Sequence, residues 1–419
     1  MIWTSTREDS TDFINPRIRV KICVVRIGHL SLTNFRNYAR LELDLPPRTV
    51  LLYGANAQGK TSLLEAIYYL ATSRSPHTSV DRQLINWLAE QEPLPFARLV
   101  ADVVTRQGNR RIEITIIKEA LTGVETRFRK QVRVNGVPRR TIDLLGQLNV
   151  VLFLPQDIAL VAGPPGERRR YLDITLCQVD PTYCRALSLY NRVVTQRNAL
   201  LKALQERRGS TDELPFWDQQ LIEAGGLLMA RRAQAIAELE REARNIHRDL
   251  SGGHEHLALR YDPSVVPTRA SARPSLKPDV PLVASADEFR TALRQQVEQG
   301  RREEIIRGMT LWGPHRDEFR FLVNGVDLGI YGSRGQQRTA VLALKLGEVA
   351  WIHHAAGEWP VLLLDEVLAE LDLARRGYLL ERVDSVQQAL LTSTDPSLFS
   401  PAFLQKAKIF RVEAGRIIE

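Results

Sequence analysis

Residues Gly54-Ala55-Asn56-Ala57-Gln58-Gly59-Lys60-Thr61 fit the pattern GxxxxGK[ST]. Glycines let such a loop curl until its backbone N–H groups converge on an anion. A helix beginning where the loop ends adds its own N-terminal N–H groups. Lys60 suits the β- and γ-phosphates of a nucleotide, and Thr61 offers a hydroxyl to Mg²⁺. Ser62 follows as a further nucleotide contact. The context agrees: the apolar strand TVLLYG enters the loop, and Leu63, Leu64, Ile67, Tyr68 and Leu70 mark one face of a helix leaving it.

A second constellation, Val361-Leu362-Leu363-Leu364-Asp365-Glu366, reads as a buried strand ending in two carboxylates. In an open parallel sheet the carboxyl ends of the strands face the ligand. Asp365 would hold the Mg²⁺ shell there, and Glu366 would polarise an attacking water as general base. The two halves lie more than 300 residues apart, so the chain must leave the sheet and return to it.

The elements needed to position them are visible in the pattern. Strands are expected over 20–35, 39–45, 49–54, 98–104, 111–118, 126–134 and 148–155, with Asn135-Gly136 as a hairpin turn. After Gly163-Pro164-Pro165-Gly166 the chain turns helical over 167–207, then again from Phe216 to Leu250. Ile236, Leu239, Ala243, Ile246 and Leu250 repeat at 3-4-3-4. That seam fits a short antiparallel helical hairpin, and equally two core helices of a globular subdomain. Residues 251–285 read as strands and loops, 285–307 and 336–355 as helices, and ALLTSTD and AKIFRVEAGRII as final strands. The expected architecture is an α/β P-loop head split in sequence, with an inserted, mainly helical second lobe. Residues 1–21 form a polar extension or follow a start codon placed too far upstream. Residues 22–165 and 306–419 build the head, and 166–305 the lobe.

Composition sets bounds on all this. Of 419 residues, 44% are apolar and 25% charged, which excludes a wholly disordered chain. The net charge is +8, and 48 of the 57 basic residues are Arg. Arg forks onto phosphate, so a polyanionic partner fits, although a coding preference for Arg gives the same bias. The pairs Arg110-Arg111, Arg139-Arg140, Arg207-Arg208, Arg231-Arg232 and Arg301-Arg302, with the run Arg168 to Arg170, could neutralise duplex phosphates without reading sequence. Cys23, Cys177 and Cys184 are too few for a disulfide framework or a zinc site, and no apolar run is long enough to span a membrane. A reduced, cytoplasmic setting without a membrane partner is expected.

Ser333-Arg334-Gly335-Gln336-Gln337-Arg338 precedes a helix about 30 residues before the Asp365 strand. Alone it is a good helix start. In that place it resembles the signature loop of ABC-type ATPases, whose Ser and helix N-terminus meet the γ-phosphate held by the opposite subunit. Glu370-Leu371-Asp372 stands where that class has its D-loop. Gln156 stands where it has the Q-loop, which senses Mg²⁺ and γ-phosphate.

The resemblance then narrows. SLTNFRNY (31–38), GPPGERRRYLD (163–173), GPHRDEF (313–319), YGSRGQQRT (331–339) and LLLDEVLAELD (362–372) follow, in order and spacing, the motifs of the RecF family, bacterial recombination mediators with an ABC/SMC-type head. The match runs from about residue 22 to the C-terminus. It implies an ATP-induced homodimer that binds DNA near gaps or junctions and hydrolyses ATP weakly under DNA stimulation. It further implies work with RecR and RecO to load RecA in recombinational repair and replication restart. By the same resemblance Arg36 approaches the phosphates, and Ser333, Gly335 and Gln336 act in trans. Gly54 to Ser62 hold the nucleotide, Lys60 and Glu366 serve catalysis, and Thr61, Gln156 and Asp365 serve Mg²⁺. After the ALLTSTD strand stands Thr394 or a neighbour, where transporters place a His, which suits a timer better than a pump. His315 has no evident chemical role and reads as a core or capping residue. The alternatives are a structural SMC-like protein without significant hydrolysis and, less favoured, a transporter ATPase subunit.

Overall fold

The computed structural model describes residues 25–92, 94–120, 126–267 and 282–418. The extension expected over 1–21, and Cys23, lie outside these. Two layers of strands form the head. The first is an antiparallel sheet of β1 (Arg26–Phe35), β2 (Tyr38–Asp44), β4 (Phe96–Thr105), β5 (Gly108–Ala120), β6 (Thr126–Val134) and β7 (Val137–Arg139), in the order β2-β1-β4-β5-β6-β7. Alternating burial along β2 shows why it forms: one face enters the core and the other meets water.

The second sheet carries the chemistry. Its strands are β3 (Val50–Tyr53), β8 (Val150–Phe153), β12 (Val361–Asp365), β13 (Ala389–Ser393), β14 (Lys408–Glu413) and β15 (Arg416–Ile418), in the order β15-β14-β3-β13-β12-β8. From β14 to β8 all neighbours are parallel; only β15 runs antiparallel. Its central strands are apolar on both faces because both are covered. Leu363 and Leu390 face the core shared with the first sheet and α1 (Lys60–Thr72). Leu362, Leu364 and Leu391 face a second core, built with the helices. The split predicted from the sequence is thus real: β3 and β12 stand in one sheet with β13 between them.

The single helical run expected over 167–207 is two helices. After the short α2 (Ala159–Ala162) come α3 (Pro165–Val179) and α4 (Pro181–Gln205). Pro181 cannot continue a helix, and Asp180 caps the new one by accepting from Thr182 and Tyr183 N–H groups. The 37-residue α5 (Leu214–Leu250) returns along α4. It also packs on α6 (Ala286–Arg307) and α8 (Arg334–Ala356), so the hairpin is at the same time part of a core. Ala243 of the seam approaches Gly347 of α8 so closely that a Cβ there would sit 3.0 Å from the Ala243 nitrogen.

A third, small sheet, β11-β10-β9, joins β9 (Leu257–Asp262), β10 (Glu318–Val323) and β11 (Val326–Asp327). The short α7 (Leu328–Tyr331) then leads into α8. Beyond β12, α9 (Leu373–Ser385) and α10 (Pro401–Lys406) complete the chain.

His315 is a packed residue. The Thr310 carbonyl can only accept, so Nε2–H donates to it (3.2 Å), and Nδ1 accepts from the Tyr190 hydroxyl (2.7 Å). Burial, with Arg316, Arg169 and Arg232 nearby, pushes its pKa down to about 4 from 6.5. Below pH 6.5 the unfolded chain therefore takes up a proton that the folded chain refuses. Stability should fall as pH drops from 6.5 towards 4 and level off below. His315→Gln should flatten that part of the melting temperature's pH profile; an unchanged profile would refute the assignment.

Candidate nucleotide-binding site

The loop between β3 and α1 needs its glycines for steric reasons. Gly54 has φ +154° and Gly59 has φ +116°. A Cβ on Gly54 would lie 2.3 Å from the Val412 carbonyl oxygen, and one on Gly59 2.6 Å from the Asn37 amide nitrogen. The loop is held from outside as well: Gln58 accepts from Ala414 N–H at 2.7 Å, and its carbonyl accepts from Gly415 N–H at 2.9 Å. Gln58 thus braces the loop against the β14–β15 turn rather than lining the pocket.

That pocket has a volume of about 590 Å³. Asn56, Ala57, Gly59, Lys60, Thr61 and Ser62 line it, together with Arg36 and Glu366. Gly54 and Ala55 serve it indirectly, since their carbonyls accept from Lys60 Nζ at 2.8 and 2.9 Å. Lys60 also pairs with Glu366 at 3.2 Å. A buried ammonium facing one carboxylate and two carbonyls is positioned to exchange these contacts for phosphate oxygens.

Across the sheet, Thr61 Oγ1 lies 2.9 Å from both carboxylate oxygens of Asp365, which comes from 304 residues away. Burial is the main cause that raises the Asp365 pKa, opposed by hydrogen bonds from Thr392 and Thr61. A hydroxyl and a desolvated carboxylate at this spacing are hard oxygen donors of the kind Mg²⁺ takes. Thr392 is the brace that the sequence reading missed. Its Oγ1 donates to Asp365 at 2.8 Å and accepts from Glu366 N–H at 2.9 Å. The expected switch position, Thr394, is exposed, whereas Thr392 stands at the end of β13 beside β12. Glu366 sits at φ +51°, a left-handed conformation uncommon outside Gly and enriched at functional sites.

Arg36, also left-handed at φ +51°, is forked onto Glu65 of α1 at 2.8 and 2.7 Å and donates to the Gln83 carbonyl at 3.0 Å. Three of its five N–H donors are engaged, leaving two for an anion. Gln156 follows β8, the neighbour of β12, and its amide lies 3.4 Å from His77 Nδ1; it does not line the pocket. Asn37, Gln83, Ile85 and Trp87 do line it. Sequence reading passed over all four. A Trp within the polar stretch after the phosphate loop's helix was the available signal; in the structure Trp87 is 66% exposed.

Ser333, Gly335 and Gln336 do not reach this chain's own pocket. Ser333 caps α8 by accepting from Gln336 N–H at 3.2 Å, while the Gln336 side chain accepts from Ser333 N–H at 3.0 Å and donates to Glu255 at 2.8 Å. Arg338 of α8 pairs with Glu370 at 3.2 Å and so ties the helix that follows the expected signature loop to the segment expected to be a D-loop. Ile330, Tyr331 and Leu373, which flank these two segments, are 65%, 76% and 82% exposed.

Several basic residues picked out for DNA are structural. Arg168 is forked onto Glu318 at 2.6 and 2.7 Å, and Arg232 is buried against Asp173 at 2.8 Å. Among the described residues no helix is long and apolar enough to cross a membrane.

Comparison with known proteins agrees with this geometry. The family described as RecF/RecN/SMC N terminal domain matches residues 26–417. The DNA replication and repair protein RecF of Chloroflexus aggregans is 48% identical over 93% of this chain and 99% of its own length. That of Bacillus pumilus is 38% identical over 94% and 100%. A solved structure of the recombination mediator protein RecF with ATP superposes with a TM-score of 0.80 at 29% identity, covering 94% of this chain and 98% of the other. Since the family match, the relatives aligned over nearly their whole length and the superposed structure coincide, the chain belongs to the RecF family and carries its ABC/SMC-type ATPase head.

Proposed function

We propose that this chain is an ATP-dependent, DNA-binding recombination mediator of the cytoplasm. The observation that carries the reading is the meeting of Lys60, Thr61 and Glu366 around one pocket, with Asp365 held on Thr61 at its edge. RecF proteins solved with ATP are its structural relatives. Backbone N–H groups of the 54–61 loop and Lys60 hold the phosphates. Thr61 and Asp365 would hold Mg²⁺, with Gln156 as the further ligand expected from the sequence. The ion would supply charge neutralisation at the phosphates. Glu366 accepts the proton of the attacking water, and slow hydrolysis is the release step.

Residues 22–165 and 306–419 act as the head and 166–305 as the lobe. Two copies close on ATP, with Ser333, Gly335 and Gln336 of each meeting the nucleotide of the other. The exposed Ile330, Tyr331 and Leu373 beside these segments support that closure, because a second copy would remove them from water. DNA, gripped by its phosphates near gaps or junctions, stimulates turnover. RecR, then RecO and RecA, act downstream.

The test is the mass in solution with and without ATP–Mg²⁺. The wild-type chain should pass from monomer to dimer on ATP. Ser333→Arg should still bind ATP yet remain monomeric, since the new side chain blocks the face and not the pocket; its apparent affinity falls only by what dimerisation contributes in the wild type. A mass that ignores ATP would sink the in-trans reading.

A further inference from the structure

Two stretches singled out in the sequence, GPPGERRRYLD and GPHRDEF, do not line the nucleotide pocket. They meet at a second cavity of about 850 Å³, walled by the stretch after α1, by α3 and α4, and by the 314–315 turn. Five cationic side chains line it, Arg74, Lys130, Arg169, Arg170 and Arg232, against two carboxylates, Asp81 and Asp173. Lys130 pairs with Asp81 at 2.9 Å and Arg232 with Asp173 at 2.8 Å. Among the described residues the other three have no carboxylate at ion-pair distance. Arg169 donates to the Asp317 carbonyl and Arg170 to the Ser75 carbonyl, each at 2.8 Å, and Arg74 is exposed. The carboxylates behind the wall are already engaged: Asp317 by Tyr261 and Arg232, Glu318 by Arg168. Burial, and then Arg232 beside it, lower the Arg169 pKa; the more distant carboxylates Glu318, Asp317 and Asp173 oppose the shift, and a guanidinium keeps its charge at neutral pH.

We propose that this cavity binds a phosphate group through the guanidinium groups of Arg74, Arg169 and Arg170. Guanidinium forks match phosphate oxygens in geometry and charge, and the volume falls in the range of ligand sites. The phosphate can come from two sources: the backbone or end of a nucleic acid, or a free phosphorylated small molecule. Occupancy would also be felt at the first pocket. Arg170 holds the Ser75 carbonyl, Ser75 Oγ donates to Glu65 at 2.5 Å, and Glu65 holds Arg36. That coupling rests on the nucleotide reading; the phosphate site does not.

The experiment titrates inorganic pyrophosphate into Lys60→Ala protein, in which the first pocket has lost its phosphate lysine. Wild-type chain saturated with a non-hydrolysable ATP analogue serves equally should that variant be unstable. One pyrophosphate per chain is expected. Arg74→Glu, at an exposed residue whose side chain has no partner among the described residues, should weaken binding by about 10- to 100-fold or more. Arg170→Gln should weaken it too. No binding, or binding indifferent to both changes, overturns the proposal. A 5′-phosphorylated duplex that displaces pyrophosphate assigns the site to nucleic acid; a duplex that does not assigns it to a free phosphorylated ligand. Failure of the nucleotide reading would appear separately, as unchanged ATP affinity in Lys60→Ala.

Discussion

Glu366→Gln is expected to slow ATP hydrolysis by about 10²–10⁴-fold while ATP still binds. The amide keeps the shape of the side chain but cannot accept a proton from water. Lys60 retains the Gly54 and Ala55 carbonyls, so the phosphate-binding face stays in place. The Glu366 backbone is held by its N–H to Thr392, which the change does not touch. Single-turnover hydrolysis and the lifetime of the ATP-bound dimer on DNA measure the two halves of the claim. Turnover should collapse, and the dimer should persist for longer in the same proportion. Unchanged turnover would remove Glu366 from the chemistry. Slow turnover without a longer-lived dimer would separate hydrolysis from release and favour a structural, SMC-like role for the nucleotide.

Arg197→Leu is expected to destabilise the helical lobe by about 3–5 kcal/mol, although it touches neither pocket. Arg197 is wholly buried and holds Asp218 at 2.8 Å, Glu304 at 2.5 Å and the Thr310 hydroxyl at 2.9 Å. One guanidinium therefore binds α4 to α5, α6 and the turn after α6. Removing it leaves the Glu304 carboxylate, 0% exposed, with the Leu311 N–H at 2.9 Å as its one remaining partner among the described residues. Asp218 keeps Arg301 at 2.6 Å, so the penalty centres on Glu304. The denaturation midpoint reads the loss. Arg197→Leu combined with Glu304→Leu should recover part of it, because no buried charge is then left alone. A single variant as stable as wild type would mean that water reaches Glu304 and screens it.

The two halves of the nucleotide site were legible because each needs a fixed local pattern. A phosphate loop must have its glycines and its strand-to-helix context, and the Asp365 strand must be apolar on both faces to lie inside a parallel sheet. Their distance in the chain then required a split head, and β3 and β12 do share one sheet. The helix start at Ser333 was legible for the same reason, since its capping box is contained within four residues.

What spacing could not show was anything made by residues that are strangers in the sequence. Thr392 braces Asp365 because β13 happens to lie beside β12. Arg36 is committed to Glu65 before any phosphate arrives, and Arg168 and Arg232, which read as DNA contacts, are buried in ion pairs. Charge in a sequence records only that a residue is basic; which carboxylate folds against it decides whether that charge remains for a ligand. By itself the sequence determined the fold class, the phosphate loop and the carboxylates at the strand end, because strand alternation, glycine conformations and helix caps act over a few residues. Only the tertiary structure decided which arginines have no carboxylate partner among the described residues and that three of them line one cavity, because ion pairing and desolvation depend on neighbours brought from far along the chain.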